Sequence, residues 1–524
     1  MTCKRLAFIG LLCNFNLFCL AQGSPGDHTR EWKRIDSLIG SKGLTQSALQ
    51  EVNKLYLVAK KEKNDPQIIK ALVYQLGLEG NKEEDAALKS IFRIEREIAG
   101  AREPARSILH SMEAEIYWDY FQQQRWKLYD RTQTRHFIKE DPGTWGIEDF
   151  HKKIDEEFSS SVKNESLLRL IKLEPFDAII IKGNTRLLRP TLYDLLAHRA
   201  LDYFKDDEAY ITKPADEFEL KEKTALSEAE VFMKYHFVPK DSLSHQFKAL
   251  QLFQKLLLFH QHDARPDAFN DVDIERIRFV YTYGVMEHKE ELYQAALEEI
   301  ISKYENQPAA AKASYLLAEI YAARARTYDR LLDTSNRFAY LAAATICEKI
   351  IRQTDSSEGK TGCLHLLREI QRKELSIQTE KVNLPGKPFR SLITFRNLTH
   401  LYFRIVKMDQ KIKEQVGLAR GMVDQWKIFL NLPVLKTFDQ SLPDTKDYQK
   451  HAVEIKVDSI PLGEYALLAS PNIDYSLENK PLAVQFLHIS SIAYINKGED
   501  YFVLDRETGK PLQRTNVQIW YTYY

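Results

Sequence analysis

The densest gathering of residues able to do chemistry is His260-Gln261-His262-Asp263, followed by Asp267, Asn270, Asp271 and Asp273. Imidazole nitrogens and carboxylate oxygens are ligands for zinc and related divalent ions. Two histidines separated by one residue share a face only on an extended chain, whereas these two close a long helical run. The spacing therefore favours a solvated helix end, with the histidine near the negative pole of the helix dipole, over a metal centre. The acidic residues after Pro266 lack the glycine and terminal glutamate of a calcium loop and read as caps on the next helix.

The second group is a pair of thiols. Of the five cysteines, Cys3, Cys13 and Cys19 lie in an N-terminal leader, which leaves Cys347 and Cys363. Both fall on inward positions of consecutive helices, and two states stay open for them. One is a disulfide, which needs Cα atoms within about 7 Å and by closing so short a loop stabilises by roughly 3 kcal/mol. The other is two buried reduced thiols acting as small apolar side chains. No nucleophile motif, Gly-rich phosphate loop or cofactor fingerprint accompanies them. No catalytic, cofactor or metal residue is assigned, and a binding or spacing role is expected rather than an enzyme.

The elements that must position these residues are helical from about Asp27 to Lys373, with apolar residues at three- and four-residue spacing. An internal match organises them. Leu316-Leu317-Ala318-Glu319-Ile320 recurs as Leu366-Leu367-Arg368-Glu369-Ile370, and Glu298, Ile300 and Ile301 recur as Glu348, Ile350 and Ile351, at one common offset. Pro104 with Ala114-Glu115-Ile116-Tyr117 matches Pro308 with Ala318-Glu319-Ile320-Tyr321. Repeats of this kind predict an irregular TPR-like α-solenoid over residues 22–373. In that register Cys347 replaces Leu297 and Cys363 replaces Ala313. The aromatics of Ile116-Tyr117-Trp118-Asp119-Tyr120-Phe121 sit at helical spacing and read as packing between repeats.

Ahead of the helices, Lys4 and Arg5 precede an apolar run from Leu6 to Leu20, with small residues before Gln22. This is the pattern of a signal peptide over residues 1–21, cleaved near Ala21, and it predicts export to the periplasm or beyond. Bulky Phe18 disfavours acylation of Cys19. No other run approaches the length of a membrane span. With 74 basic and 74 acidic residues the chain has no general field for nucleic acid.

Near Leu375 the period changes from helical to alternating. Leu375 to Thr379, Ser391 to Phe395, Leu401 to Lys407, Glu454 to Val457 and Tyr465 to Ser470 read as strands of a β-sandwich over 374–485. The run Ala483 to Ile495 is expected to cross into a second β-domain over 486–524. There Tyr501 to Leu504 and Asn516 to Tyr521 flank a turn containing Gly509 and Pro511, and the sequence is expected to stop inside that domain. Asn397-Leu398-Thr399 fits a glycosylation sequon.

Tyr501-Phe502-Val503-Leu504-Asp505-Arg506-Glu507-Thr508-Gly509-Lys510-Pro511-Leu512, with Val517-Gln518-Ile519-Trp520, resembles the start of the second macroglobulin-type domain of bacterial alpha-2-macroglobulin-like proteins. Pro461-Leu462-Gly463-Glu464-Tyr465 and the strands around Phe395 and Leu401 resemble their first such domain, an immunoglobulin-like sandwich. The segment Arg189 to Ala200 resembles the helical leader of large secreted members. The resemblance implies a protease trap, in which bait cleavage triggers enclosure of the protease and a thioester in a C-x-E-Q motif captures it. Neither Cys347 nor Cys363 stands in that motif, so the bait and thioester regions are expected outside this chain. Proteases, or other proteins, are the implied partners. The alternative is a stand-alone exported helical-repeat scaffold that binds a protein or polymer.

Overall fold

The computed structural model describes residues 28–79, 86–129, 141–183, 185–206, 218–239, 244–353, 356–477 and 481–518. The expected leader lies outside them, as do residues 519–521 of the last expected strand. A helical N-terminal part with a strand-rich C-terminal region is observed. The chain divides into two compact units, Met1–Ala296 and Leu297–Tyr524.

The first unit contains α1 (Thr29–Gly40), α2 (Thr45–Glu62), α3 (Asp65–Glu79), α4 (Ala86–Gly100), α5 (Ala105–Tyr129), α6 (Ile147–Ser161), α7 (Glu165–Leu168), α8 (Leu192–Phe204), α9 (Ala229–Lys234), α10 (His245–His260) and α11 (Asp267–Tyr283). The helix α12 (Lys289–Lys303) spans the division. Trp32, Ile35, Val52, Leu55 and Leu78 form the core of α1–α3, where the Trp32 indole donates to the Gln67 side chain at 2.6 Å. The aromatic run of α5 is packing, as its spacing predicted. Tyr117 stacks on Trp145 with centroids 5.4 Å apart, and Trp118 meets Tyr203 edge-on at 5.3 Å.

The second unit begins its complete helices with α13 (Pro308–Ala325), α14 (Ala339–Ile351) and α15 (Glu358–Gln371). The repeat is visible in the helix starts: α14 begins 50 residues after α12, and α15 begins 50 after α13. Alanine-rich α13 lies against α14 and α15 in one core containing Ala311, Ala318, Ala343, Cys347, Ile350, Cys363 and Ile370. Glycine permits the closeness, since a Cβ on Gly359 would stand 2.2 Å from the Ala311 carbonyl carbon.

Ten strands follow. The strands β1 (Glu374–Thr379), β3 (Phe389–Arg396) and β6 (His451–Val457) make an antiparallel sheet in the order β1-β3-β6. A second sheet has the order β2-β8-β7-β4-β5, from β2 (Val382–Asn383), β4 (His400–Met408), β5 (Val434–Ser441), β7 (Gly463–Ser470) and β8 (Ala483–Ile489). Ile377, Ile393, Phe395 and Ile455 of the first sheet share a core with Leu401, Phe403, Ile405, Leu467 and Leu487 of the second. The expected boundary after residue 485 falls inside β8, which pairs with β7 as far as Gly463 opposite Ile489. The run from Ala483 to Ile495 is two strands, broken at Ser490-Ser491.

An element absent from the sequence reading covers the outer face of the larger sheet. The helices α16 (Gln410–Leu418) and α17 (Met422–Asn431) stand between β4 and β5. Trp426 and Phe429 of α17 pack with Val406, Met408, Ala466, Leu468 and Tyr475. This explains why β7 is buried on both faces: Tyr465, Leu467 and Ala469 point inward, and Ala466 and Leu468 point at the helices.

The last two strands, β9 (Ile492–Lys497) and β10 (Asp500–Asp505), form a separate two-stranded sheet. The expected hairpin pairs Tyr501–Leu504 with a later strand, whereas β10 pairs across Gly498 with β9, Phe502 opposite Ile495. The turn itself folds back on β10, through a bridge of Leu504 with Pro511 and the Leu512 amide donating to the Val503 carbonyl at 2.9 Å, and residues 516–518 form no strand.

Candidate functional site

In the first unit the site is a buried charge network on α8, α10 and α11. It starts from a local signal: Thr191 caps α8, and the Asp194 carboxylate accepts from the Thr191 amide at 2.9 Å and its hydroxyl at 2.7 Å. Pro190 therefore precedes the cap and stands outside the first helical turn. The other Asp194 oxygen accepts from His260 Nε2 at 2.7 Å, and His260 Nδ1 donates to Asp263 at 2.7 Å.

His260 is 2% exposed, so the expected solvated helix end is a buried one. Burial, the largest effect, works against a charged ring. The hydrogen bonds and charges of Asp194 and then Asp263 outweigh it and hold the His260 pKa above its ordinary value. Burial likewise opposes the Asp194 carboxylate, and His260 with Thr191 lowers its pKa on balance. With both nitrogens donating to carboxylates, the charged imidazole has no lone pair with which to take a proton or ligate a metal. The neighbouring His262 is exposed.

The acidic residues beyond Pro266 also find partners. Asp271 accepts from Arg189 at 2.5 Å, and Asp273 accepts from buried Arg276 Nη2 at 2.6 Å. Arg276 donates onward to the Ala225 and Ser227 carbonyls, tying the segment before α9 to α11. The expected capping is not found: Pro266 is the N-cap of α11, with no side-chain cap hydrogen bond, and Asp267 in the first turn accepts from Arg265 Nε at 3.0 Å.

Among the described residues two constellations bring one imidazole and two carboxylates within 4.8 Å: His198, Asp271 and Glu275, and His110, Glu113 and Glu157. In the first, Arg189 reaches Asp271, and Lys205 pairs with Glu275. In the second, Lys153 lies 3.3 Å from Glu113 and 2.7 Å from Glu157. Burial, then the Glu157 charge, pushes the Glu113 pKa up to about 8, so this carboxyl holds a proton at neutral pH. Each cluster is balanced without a cation, and neither is assigned as a metal site.

In the second unit Cys347 and Cys363 are brought together as free thiols, both wholly buried. The neighbouring Cys363 holds the Cys347 pKa below its ordinary value, while Cys347, then burial, pushes that of Cys363 up. A groove of about 570 Å³ lies on the same unit, lined by Tyr328, Arg330, Thr334, Arg337, Phe338 and His451. Beneath it Asp447, fully buried, accepts from Arg337 Nε and His451 Nε2, each at 2.9 Å. Next to the groove, the Asp329 carboxylate accepts from the amides of Leu331 and Leu332 and presents both side chains 89% exposed. Nothing in the hydrophobic period marks these two leucines, because they lie between helices; the flanking Asp329 and Asp333 are the turn signal.

The sequon asparagine is committed elsewhere. Asn397, with φ of 56°, donates its side-chain amide to the Ile370 carbonyl at 2.8 Å and the Arg372 carbonyl at 2.9 Å.

No protein-family model matches this chain, and no curated protein matches it significantly.

Proposed function

We propose that the chain is the amino-terminal part of an exported alpha-2-macroglobulin-like protease inhibitor and acts there as scaffold. In this reading a TPR-like helical leader precedes a macroglobulin-type, immunoglobulin-like sandwich and the opening strands of a second. Trapping of the protease belongs to bait and thioester regions elsewhere in the complete protein, and the chain itself is no enzyme. The observation that carries the reading is the β9–β10 sheet. It follows a two-sheet sandwich, carries the family-like segment Tyr501–Leu512, and exposes Tyr494, Ile495, Tyr501 and Phe502. Ile495 and Phe502 lie on one face and Tyr494 and Tyr501 on the other, and an isolated hairpin exposed on both faces is marginal in water and calls for further strands to cover it.

The test has a genetic and a biochemical arm. The reading frame after the Tyr524 codon is expected to encode further β-sandwich domains. The protein carrying them is expected to block a protease's attack on a large substrate while sparing hydrolysis of a small peptide. An unrelated gene after a stop codon, or a complete protein that leaves every protease in a panel uninhibited, defeats the proposal.

Leu331 and Leu332 favour a second reading, a stand-alone exported scaffold that docks a protein. Under it the isolated chain folds cooperatively and binds a partner, and Leu331→Asp abolishes that binding. Partner binding indifferent to that substitution removes the observation on which this reading stands.

A further inference from the structure

We propose that Cys347 and Cys363 are a disulfide-forming pair that covalently closes the α14–α15 hairpin, and that the bond is made before α13 packs onto it. The thiols stand on consecutive helices that pack together, and both are buried in one core. A disulfide requires closely approaching Cβ atoms, and the α14–α15 hairpin brings both cysteines into one core from residues only 16 apart in sequence. Neither thiol exposes any surface. Ala311, Ala318 and Ala322 of α13 belong to the same core, and Gly359 and Gly362 let α13 lie directly on α15. No reagent reaches the sulfurs while α13 is in place, so the state of the pair is set during folding.

The oxidant is a disulfide, small-molecule or protein-borne, of an oxidising compartment. Cys347, as its thiolate, attacks one oxidant sulfur, giving a mixed disulfide and releasing one thiolate. Cys363 then loses its proton to solvent and attacks the Cys347 sulfur. The Cys347–Cys363 bond forms, the mixed disulfide breaks, and the second oxidant thiolate leaves. Two protein thiols are oxidised and one external disulfide is reduced to two thiols.

The test follows the tryptic peptides that end at Lys349 and Arg368, which report these two cysteines regardless of the leader cysteines. The full chain is reduced, unfolded in urea, refolded in a glutathione disulfide and glutathione buffer, and alkylated in denaturant. The expected product is one bridged peptide pair, two hydrogens lighter than the sum, without alkyl groups. The folded reduced chain in the same buffer is expected to form it at least about 100-fold more slowly, because α13 must first lift away. The oxidised chain is expected to unfold at a higher temperature than the reduced one. For a chain that does not refold, the same peptide map is made on protein exported through an oxidising compartment. Alkylated thiols, or separate glutathione adducts, in place of the bridge overturn the proposal. Equal oxidation rates for folded and unfolded chain overturn its timing.

Discussion

Replacing Gly359 by alanine tests whether α15 lies on α13 as closely as described. Gly359 sits in the first turn of α15, where an added methyl gains a few tenths to about 1 kcal/mol of helix propensity. Against this, the new Cβ would stand 2.2 Å from the Ala311 carbonyl carbon, 2.3 Å from the Lys312 nitrogen and 2.4 Å from the Ala311 oxygen. These are backbone atoms, so no rotamer change relieves the contact, and the helices must separate by more than 1 Å along it. Overpacking of this kind costs roughly 1–3 kcal/mol or more, which outweighs the propensity gain. Gly359→Ala is therefore expected to destabilise the second unit by about 1–3 kcal/mol, lowering its thermal midpoint by roughly 3–10 °C. Two other glycines calibrate the result. Gly362→Ala meets only the Tyr315 ring, at 2.7 Å, and that ring can turn at the expense of its hydrogen bond to Glu319. A smaller loss is expected. Gly417→Ala in α16 meets nothing within 4 Å and is expected to stabilise. Urea titrations and calorimetry of the three variants read the order directly. A Gly359→Ala chain as stable as the parent refutes the close approach and, with it, the shielding of the two thiols.

Breaking the Asp194–His260 pair by His260→Leu leaves a buried carboxylate short of its partner and is expected to cost about 3–5 kcal/mol in urea unfolding. Because the His260 pKa is raised, its contribution is full below the unfolded value near 6.5 and is lost as pH rises through the folded value. Asp194 has a lowered pKa, so its contribution is present above about 4 and is lost as pH falls through its folded value. The parent-minus-variant difference should therefore be largest in weak acid; a difference that grows toward pH 9 contradicts the pairing. His245 has the opposite effect. Burial, then His151 and Lys248, depresses its pKa to about 3, so stability falls from pH 6.5 downward by up to about 1.4 kcal/mol per unit, and His245→Leu should flatten that slope. Asn397→Asp turns a donor to two carbonyls into an acceptor and is expected to cost roughly 2–3 kcal/mol, whereas Thr399→Ala, which removes only the sequon, should change neither stability nor the mass of protein made in a glycosylating host.

The strands were the legible part of the fold, because a half-buried strand writes its inward face into every second residue. Phe389, Ser391, Ile393 and Phe395 alternate in burial along β3, and the alternation is visible without coordinates. The same rule misleads where a sheet is covered twice. Tyr465 to Ser470 reads as a strand but gives no sign that its second face meets α17. The signals for α16 and α17 were nonetheless present. Asp409 caps the Ile412 amide, and Ile412 with Val416, then Trp426 with Phe429 and Leu430, keep a helical period. The inward register of Cys347 and Cys363 was legible through the repeat, since the positions they replace, Leu297 and Ala313, are themselves wholly buried.

The charge network was not legible, for a physical reason. A helix-terminal histidine reads as solvated because its partner, Asp194, lies 66 residues upstream, and local pattern carries no information about that pairing. Only the Thr191-x-x-Asp194 capping box marked the aspartate, and it predicts a local role. The division of the chain has the same cause. The change of period near Leu375 suggests that helices and strands belong to separate domains. Instead the Arg396 and Asn397 side chains donate to the Ile370 carbonyl, and the Gln449 amide donates to the Ala325 carbonyl at 2.9 Å. Both carbonyls lie at helix C-terminal ends, which present acceptors without intrahelical donors. The β-loops thus satisfy groups that α13 and α15 cannot satisfy themselves. Helices and sandwich form one unit because each completes the other's hydrogen bonding, and a chain cut at residue 373 should leave both halves less stable than the uncut unit.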